Sequence, residues 1–454
     1  MPTTKQDEKQ ELTKALLKGH RGPVTCLAHS SSIADGRPVA ASSRSSAAPA
    51  QPQPPSLLSG SSDGTARLWD LRTQRAALCI VAPVDADGDS DITSVAFHPL
   101  SSTTSSLGGG GGAANTYSRD MTIYLSVGCG VYGYDLRNTN APIIRSYDID
   151  LSRHEDEINE VMFSRAGAGA NGKIRFAAAD DMGDVRVMEN VPFKLSSDSN
   201  KNNKERKLQR CRVLQHAIDD ENAMATCLAF RPRGANDLVS GGTDCAIRLW
   251  DVSRPQRPSS SVQISGDESG NAQVCNPPFV NQIAFSKHGT LLAAALGDGT
   301  ASILGIKGRS ISERCRLSGG HSSSVASVLF PSFGSKTSSN IAANDRLLVT
   351  GGSDGIMFWD IGSEVAGKNA VDPSTWLCCA PSSADNIGED LSSLSLDEQK
   401  KKKKQPRNNE NVGPRVLFGI AHDEKINTIT SDDDRTLFVA DTSNVVTAYM
   451  IARN

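Results

Sequence analysis

A hairpin-like stretch that recurs along the chain constrains the fold more than any other feature. Its clearest copy, residues 57–72, reads LLSGSSDGTARLWDLR: an apolar run, the turn sequence Ser62-Asp63-Gly64 and a second apolar run that ends in Trp-Asp. Asp and Gly favour tight turns between antiparallel strands, so each copy predicts a two-stranded hairpin. Six further copies, some of them weaker, are residues 124–137, 176–190, 238–254, 292–304, 348–360 and 438–450.

A second short strand precedes each hairpin at a variable distance. These strands begin at Val24, Ile92, Ile158, Ala225, Val280, Val325 and Ile426. A repeat of several short strands, with Gly-His before it and Trp-Asp after it, resembles the WD-repeat family. The resemblance implies an all-β fold, a seven-bladed β-propeller with about four strands in each blade.

The ends of the chain also fit this resemblance. In the WD-repeat family the segment before Gly-His is the outer strand of the preceding blade. No blade precedes the first, so residues 11–18 should complete the last blade beside residues 445–451 and close the ring without open edges. We expect residues 1–10 to be disordered and residues 11–454 to form one propeller. Disordered low-complexity loops are expected near residues 30–56, 101–118, 196–209, 254–277 and 362–414.

In the first blade, His20, Ser59, Asp63 and Trp69 match the hydrogen-bonded tetrad of the family. There the turn Asp holds the His, the His reaches the strand hydroxyl, and the hydroxyl reaches the indole N–H, which satisfies buried polar groups. The fourth blade offers three members, with His216 too far upstream to be assigned, and the sixth offers four, with one residue fewer between Asp and Trp. These members are Ser240, Asp244 and Trp250, and His321, Thr350, Asp354 and Trp359. The other four blades lack the Trp and are expected to rely on apolar packing alone.

Composition narrows the class of protein. A chain of 454 residues with 38% hydrophobic residues can bury a large core, and a net charge of −3 gives no global case for binding nucleic acid or a membrane. Ten cysteines without a Cys-x-x-Cys pair predict reduced, mostly buried thiols in a reducing compartment. The N-terminal residues lack the apolar run of a signal peptide, so we expect a soluble protein of the nucleus, the cytoplasm or both.

The first hairpin also resembles the sixteen-residue box by which many WD-repeat proteins dock on the damaged-DNA-binding adaptor of cullin-4 ubiquitin ligases. An Arg on the rim of a blade presents a planar fork that suits carboxylates and carbonyls. Alternatively, the Arg of the first blade merely caps its own blade through a local salt bridge. The match comprises Asp63, Trp69, Asp70 and Arg72, and the second blade repeats the ending as Tyr134, Asp135 and Arg137, with Gly128 at the turn.

Longer stretches, within residues 90–97, 154–181, 228–244 and 422–449, are similar to a family of WD-repeat proteins grouped with the candidate substrate receptors of cullin-4 ligases. This resemblance implies a receptor that binds the ligase adaptor and an unspecified substrate. The alternative within the same class is a scaffold subunit of another nuclear or cytoplasmic complex, for example in chromatin or ribosome biogenesis. A propeller hydrolase would need convergent carboxylates in the central channel, where the sequence places mostly Val, Ala, Thr and Ser.

Acidic residues precede the inner strands of several blades, and in a propeller these connections emerge on one face. One hypothesis is that this face binds a basic peptide or domain, opposite the face that carries Arg72 and Arg137. The alternative is that the carboxylates only keep exposed turns solvated. The residues of this predicted acidic face are Glu155, Asp156, Glu157, Asp219, Asp220, Glu221, Asp423 and Glu424.

A run of five lysines resembles a nuclear-localisation signal; its alternative is a solvated charge run. No aromatic residues are interleaved with it, which disfavours nucleic-acid binding. The run is Lys400, Lys401, Lys402, Lys403 and Lys404. Motifs of metalloproteases, phosphate-binding loops and serine hydrolases do not occur, so the sequence predicts protein partners and no catalytic residue, cofactor, metal or small-molecule substrate.

Overall fold

Short β-strands make up almost all the regular structure of the chain. The computed structural model describes residues 13–30, 56–84, 88, 90–99, 122–136, 142–164, 174–189, 191, 211–218, 222–232, 234, 236–254, 257–266, 276–331, 345–367, 370, 372–375, 377, 413–432 and 435–451. Within them lie 29 strands, one four-residue helix and one 3₁₀ turn. The predicted all-β class is confirmed.

The strands follow the two kinds of element that the sequence pattern predicts, a single strand and then a hairpin. The first fourteen are β1 (Thr13–Lys18), β2 (Val24–His29), β3 (Ser56–Ser61), β4 (Thr65–Asp70), β5 (Arg75–Val81), β6 (Ile92–Phe97), β7 (Thr122–Val127), β8 (Gly130–Asp135), β9 (Ile143–Ile144), β10 (Ile149–Arg153), β11 (Ile158–Phe163), β12 (Arg175–Asp180), β13 (Asp184–Glu189) and β14 (Cys211–Gln215).

The second half of the chain repeats the same order. Its elements are β15 (Ala225–Phe230), β16 (Asp237–Gly242), β17 (Ala246–Asp251), β18 (Ser260–Gln263), β19 (Val280–Phe285), β20 (Leu291–Leu296), β21 (Ala301–Lys307), β22 (Ser310–Leu317), β23 (Val325–Leu329), β24 (Leu347–Gly352), β25 (Gly355–Asp360), α1 (Ser363–Ala366), the 3₁₀ turn Pro373–Thr375, β26 (Arg415–Ile420), β27 (Ile426–Ser431), β28 (Thr436–Asp441) and β29 (Val445–Met450).

These strands form seven antiparallel sheets, the blades of a β-propeller. The innermost strands of blades 1 to 7 are β2, β6, β11, β15, β19, β23 and β27. Each inner strand contacts the inner strand of the next blade, and β27 contacts β2, so the ring is closed. The apolar side chains pack between neighbouring blades: Leu125 of blade 2, for example, shares a cluster with Leu58 of blade 1. The seven-bladed prediction is confirmed.

Blade 1 departs from the four-stranded pattern. Its outer strand β5 pairs in parallel with β9, through Cys79 opposite Ile143 and Ile80 opposite Ile144. Strand β9 belongs to the connection between β8 and β10 of blade 2, so this connection ties blade 2 to the outer edge of blade 1.

The N-terminal strand closes the ring. Strand β1 pairs antiparallel with β29, from Thr13 opposite Met450 to Lys18 opposite Val445. Leu17 is 1% exposed and packs with Val446 of blade 7 and with Trp69 of blade 1. The predicted closure is therefore confirmed for residues 13–18, and residues 11 and 12 lie outside the described part of the chain.

Connections alternate between the two faces of the ring because each blade is an antiparallel meander. We call the face with the connections between blades and between second and third strands the upper face, and the opposite one the lower face. The segments predicted as inserts near residues 30–56, 101–118, 196–209 and 362–414 all join strands on the lower face. Most of their residues, like residues 1–10, lie outside the described part of the chain.

Part of the insert prediction was wrong. The stretch 254–277 contains β18, which pairs with β17 as the outer strand of blade 4. The stretch 362–414 contains α1 and Leu377, which is fully buried in an apolar cluster with Phe358. Ser-rich and Pro-rich composition concealed a short edge strand, since an outer strand needs few apolar residues when only one side of it is covered.

A β-bulge at the start of every inner strand supports a ring of bonds around the channel. Each inner strand skips its second residue when it pairs with its own blade, as between Val24 and Cys26 in β2. The skipped side chain is free to reach the carbonyl of the first residue in the next blade. Six of the seven blades make this bond, from Thr25 to Ile92 O (2.5 Å), Thr93 to Ile158 O (2.5 Å), Asn159 to Ala225 O (3.1 Å), Thr226 to Val280 O, Asn281 to Val325 O (2.8 Å) and Asn427 to Val24 O (2.8 Å).

Blade 6 lacks this bond because its second residue is Ala326. Ala326→Thr is expected to stabilise the ring by about 1 kcal/mol, the net value of one added hydrogen bond, since threonine fills this place in three other blades. Urea unfolding of the variant beside wild type measures the gain. Ala326→Val is the matched control: it adds similar volume without a donor, and equal stability of the two variants would contradict the prediction.

Candidate interaction surfaces

The predicted tetrad residues of blade 1 lie together. Trp69 Nε1 donates to Ser59 Oγ at 2.8 Å, and Ser59 Oγ lies 2.7 Å from His20 Nε2. His20 Nδ1 is 3.1 Å from Thr65 Oγ1, which donates to Asp63 Oδ1 at 2.6 Å, while the direct distance from His20 Nδ1 to Asp63 Oδ1 is 3.5 Å. Burial lowers the pKa of His20 to about 4. Thr65, which the sequence analysis missed, thus links the neutral imidazole to the turn carboxylate.

Blade 6 brings the corresponding groups together despite its shorter spacing. His321 lies 2.7 Å from Asp354 Oδ1 and 2.7 Å from Thr350 Oγ1, which accepts from Trp359 Nε1 at 2.8 Å. Its hairpin turn has one residue fewer than that of blade 1, and Gly355 absorbs the tighter turn at φ 122°. Burial alone would raise the pKa of Asp354, but the bonds from His321 and Ser322 outweigh it and lower that pKa to about 2.

In blade 4, the structure assigns His216, which the sequence left unassigned, to the hydrogen-bonded network. His216 Nδ1 lies 2.8 Å from Ser240 Oγ, which also accepts from Trp250 Nε1 at 2.8 Å, and His216 Nε2 lies 3.1 Å from Asp244 Oδ1. His216 precedes its inner strand by nine residues, against four for His20 and His321. The longer connection still returns the imidazole to the same place, with its ring nitrogens exchanged.

Two blades without Trp contradict the expectation of apolar packing alone. In blade 3, His154 Nδ1 lies 2.6 Å from the buried Asp180, and in blade 7 His422 lies 2.8 Å from Asp441 and 2.8 Å from Tyr449 Oη. Tyr449 supplies the polar end that Trp supplies elsewhere. His154 and His422 each stand four residues before their inner strand, as His20 does, and this spacing was the signal in the sequence.

Of the residues predicted for adaptor docking in blade 1, Arg72 is the exposed one. Trp69 and Asp70 are buried, at 1% and 4% exposure, and Asp70 accepts the backbone N–H of Arg72 at 3.0 Å and the hydroxyl of Thr73 at 3.0 Å. This turn places the Arg72 side chain on the lower rim, 64% exposed, with Nε 3.6 Å from Asp70 Oδ1. The local salt bridge therefore exists, but the Arg72 side chain as a whole remains largely exposed. Asp63 lies on the upper face, in the network around His20.

The corresponding residues of blade 2 are mostly interior. Tyr134 is 1% exposed and Asp135 is 4% exposed, and burial raises the pKa of Tyr134. Arg137 lies outside the described residues, as does the lysine run 400–404. Of the two arginines predicted to form one patch, only Arg72 is therefore among the described residues.

The described members of the acidic face lie on the upper face, opposite Arg72. Glu155, Asp156, Asp423 and Glu424 are exposed and Glu157 is half-buried. The other three members, Asp219, Asp220 and Glu221, lie outside the described residues.

Exposed apolar side chains that the sequence analysis missed lie on the same face, around blades 3 to 5. They are Met182 (50% exposed), Ile218 (50%), Met224 (40%) and Phe279 (37%). The connections that carry Met182, Ile218 and Met224 are adjacent, since Gly183 sits against residues 217 and 223 and Met224 pairs with the turn residue Thr243. Large exposed apolar residues beside carboxylates are typical of a protein-binding surface.

The central channel holds a cavity of about 430 Å³ between the inner strands. Half-buried Met162, Phe163, Phe230 and Phe285 line its lower part. Glu160 lies deeper, and its Oε2 accepts the backbone N–H of Leu228 at 2.5 Å. Burial raises the pKa of Glu160 to about 8, although this hydrogen bond opposes the shift. Glu160 is the only acidic residue at the third position of the seven inner strands, and this was the signal in the sequence that could have identified it.

Comparison with known proteins agrees with this architecture. The family model described as "WD domain, G-beta repeat" matches residues 10–70 and 211–251, which include the tetrads of blades 1 and 4. This protein is a β-propeller that contains WD40 repeats. The two matched segments include parts of blades 1 and 4 among its seven sheets.

Individual relatives differ in how much of this chain they cover. The WD repeat-containing protein 53 homolog of Dictyostelium discoideum is 25% identical over 407 residues, which is 86% of either chain. The WD repeat-containing protein on Y chromosome of Anopheles gambiae is 60% identical over 35 residues, 8% of this chain and 3% of the relative. Human Striatin-4 is 25% identical over 224 residues, 49% of this chain and 24% of the relative.

The described part of the propeller contains seven cysteines. They are not in disulfides, but Cys227 is the one that is buried, so the expectation of mostly buried thiols was wrong. Three or more His, Cys, Asp or Glu side chains do not converge on a metal-binding geometry anywhere in this described part. The helical segments described are too short to cross a membrane. WD40 propellers typically act as non-enzymatic scaffolds that bind proteins.

Proposed function

We propose that this WD40 propeller is a substrate receptor of a cullin-4 ubiquitin ligase. The lower rim of blade 1 binds the ligase adaptor, and the upper face binds the substrate. The observation that carries the proposal is the geometry of Trp69-Asp70-Leu71-Arg72, in which buried Trp69 and Asp70 hold the exposed Arg72 guanidinium on the rim.

Arg72 can make the principal contact because of how it is held. A guanidinium is always charged and donates in a planar fork to carboxylates or carbonyls. The bond from Arg72 N to Asp70 fixes the backbone that presents it. Asp63 and Trp69 then contribute indirectly, since they stabilise the blade that carries the turn. In this proposal Arg72 is the residue of the blade 1 motif that contacts the adaptor, and the buried residues of the motif hold it in place. Arg137 of blade 2 makes a second contact.

The substrate side of the proposal rests on the upper face. Carboxylates at Glu155, Asp156, Asp423 and Glu424 attract a basic partner, and the exposed side chains of Met182 and Met224 offer apolar contact. A basic segment with large apolar side chains fits both properties. We further propose that the lysine run 400–404 directs nuclear import.

Arg72→Ala is expected to reduce capture of the purified cullin-4 adaptor at least tenfold, since a truncated contact arginine at an interface centre typically costs about 2 kcal/mol. Arg75→Ala is the matched control, because Arg75 is exposed at the start of β5, directly after this turn, but lies outside the motif. Surface plasmon resonance with the full chain measures affinity, and melting temperatures verify folding.

Each outcome of this experiment separates the candidates. Loss of affinity in Arg72→Ala but not in Arg75→Ala supports the receptor. Equal adaptor affinity of Arg72→Ala and wild type would leave Arg72 as a residue that caps its own blade. Absence of binding by wild type would favour the alternative, a scaffold subunit of another nuclear or cytoplasmic complex.

A further inference from the structure

Glu160 is the one acidic or basic side chain, histidine aside, among the described residues that line the central channel. At the same position of blade 5, Gln282 Oε1 accepts the N–H of Val328 at 2.9 Å and the hydroxyl of Ser327 at 2.5 Å. In blades 2 and 6, serines accept the equivalent N–H groups. A neutral side chain is therefore sufficient for the structural bond between blades, so this bond does not require the carboxylate.

The charge of Glu160 has no cationic partner within the described part of the protein. No Lys, Arg or His of these residues lies within 4.0 Å of its carboxylate, and its described hydrogen bond is the one from Leu228 N to Oε2. The residue is not fully enclosed, since it borders the channel cavity. An ionised carboxylate in such surroundings is costly unless a cation pairs with it.

The channel below Glu160 becomes apolar and aromatic. Met162 lies two residues along the same strand, about 7 Å from Glu160, and Phe163, Phe230 and Phe285 complete this part of the lining. Phenyl rings accept apolar chains and attract cations through their faces. A carboxylate deep in the channel and an aromatic lining near its lower opening together complement a ligand that carries a positive group on an apolar stem.

We propose that the central channel binds an organic cation, an ammonium or guanidinium group on a stem of about four carbons, with the cation against Glu160 and the stem among Met162, Phe163, Phe230 and Phe285. A Lys or Arg side chain of a partner protein and a free alkylamine share this chemistry. The cavity of about 430 Å³ is large enough for either.

Isothermal titration of the full chain with n-butylammonium at about pH 9 tests the site, because Glu160 is then largely ionised and the ammonium is still charged. Binding to wild type is expected to weaken at least tenfold in Glu160→Gln. That variant should fold, since Gln282 makes the equivalent bond in blade 5. Glu364→Gln is the control: it removes the same charge from an exposed position on α1, outside the channel and the acidic face, and should bind like wild type.

Comparison of different ligands shows whether the bound cation comes from a protein side chain or from a free amine, and whether the proposal holds. Binding of N-acetyl-lysine-N-methylamide as well as n-butylammonium indicates a protein side chain, and binding of n-butylammonium alone indicates a free amine. The proposal is overturned if 1-butanol binds as tightly as n-butylammonium, or if Glu160→Gln binds as well as wild type. Absence of binding up to about 10 mM, within the affinity that so small a ligand can reach, also overturns it.

Discussion

Deletion of residues 1–18 is expected to lower the melting temperature of the whole propeller. Strand β1 supplies the outer strand of blade 7, and its loss removes the six-residue pairing with β29 and leaves that strand as an open edge. It also uncovers the apolar cluster of Leu17, Val446 and Trp69 at the seam between blades 7 and 1. Because a ring transmits the loss to both neighbouring blades, we expect one cooperative transition at lower temperature in calorimetry.

Point variants make the same test without shortening the chain. Leu17→Ala should cost about 2–4 kcal/mol, the range for truncation of a buried leucine. Leu16→Ala is the matched control on the same strand, because Leu16 is 44% exposed and its truncation should cost far less. An unchanged melting temperature after the deletion, or equal effects of the two point variants, would show that β1 does not hold the ring closed.

Glu160→Gln is expected to stabilise the protein at alkaline pH. Burial raises the pKa of Glu160 from 4.5 to about 8, so between these values the folded protein keeps a proton that the unfolded chain releases. Wild-type stability therefore falls as pH rises through this window, and the loss is complete above about pH 8. Glutamine cannot ionise. Since Glu160 retains contact with the channel, we expect the variant to gain about 2–3 kcal/mol at alkaline pH rather than the full linkage value.

Urea unfolding of wild type and Glu160→Gln at about pH 5 and about pH 9 measures this difference. Glu364→Gln again serves as the control, because Glu364 is exposed on α1. The neighbouring thiol of Cys227 should not interfere, since burial raises its pKa and keeps it protonated. A stability difference between wild type and Glu160→Gln that stays constant over this range would show that Glu160 is already ionised in the folded protein.

Most of the fold was accessible from local patterns. Each hairpin copy carries its own turn residues and apolar alternation, which fix two strands without reference to the rest of the chain. The closing strand followed from the family resemblance and the apolar residues before Gly19. The short edge strand β18 escaped because its sequence, SSVQ, shows little more than loop composition.

The sites were less accessible because they depend on contacts between distant residues. The motif at 69–72 indicated Arg72, but only packing shows that Trp69 and Asp70 are interior and that Arg72 carries the exposed charge. His216 could not be assigned from its spacing, since the length of a connection does not tell where its ends return. The patch of Met182, Ile218, Met224 and Phe279 forms from connections of several blades.

The sequence alone determined the number of blades and the residues that begin each turn, because these depend on neighbours along the chain; the strand that closes the ring followed from the family resemblance. The tertiary structure decided which side chains meet across blades: the ring of bonds that omits Ala326, the network around His216, and the placement of Glu160 beside an aromatic channel. Closure of the ring brings into contact inner strands whose first residues are 45 or more positions apart, and no local pattern of residues encodes which of their side chains will face a common space.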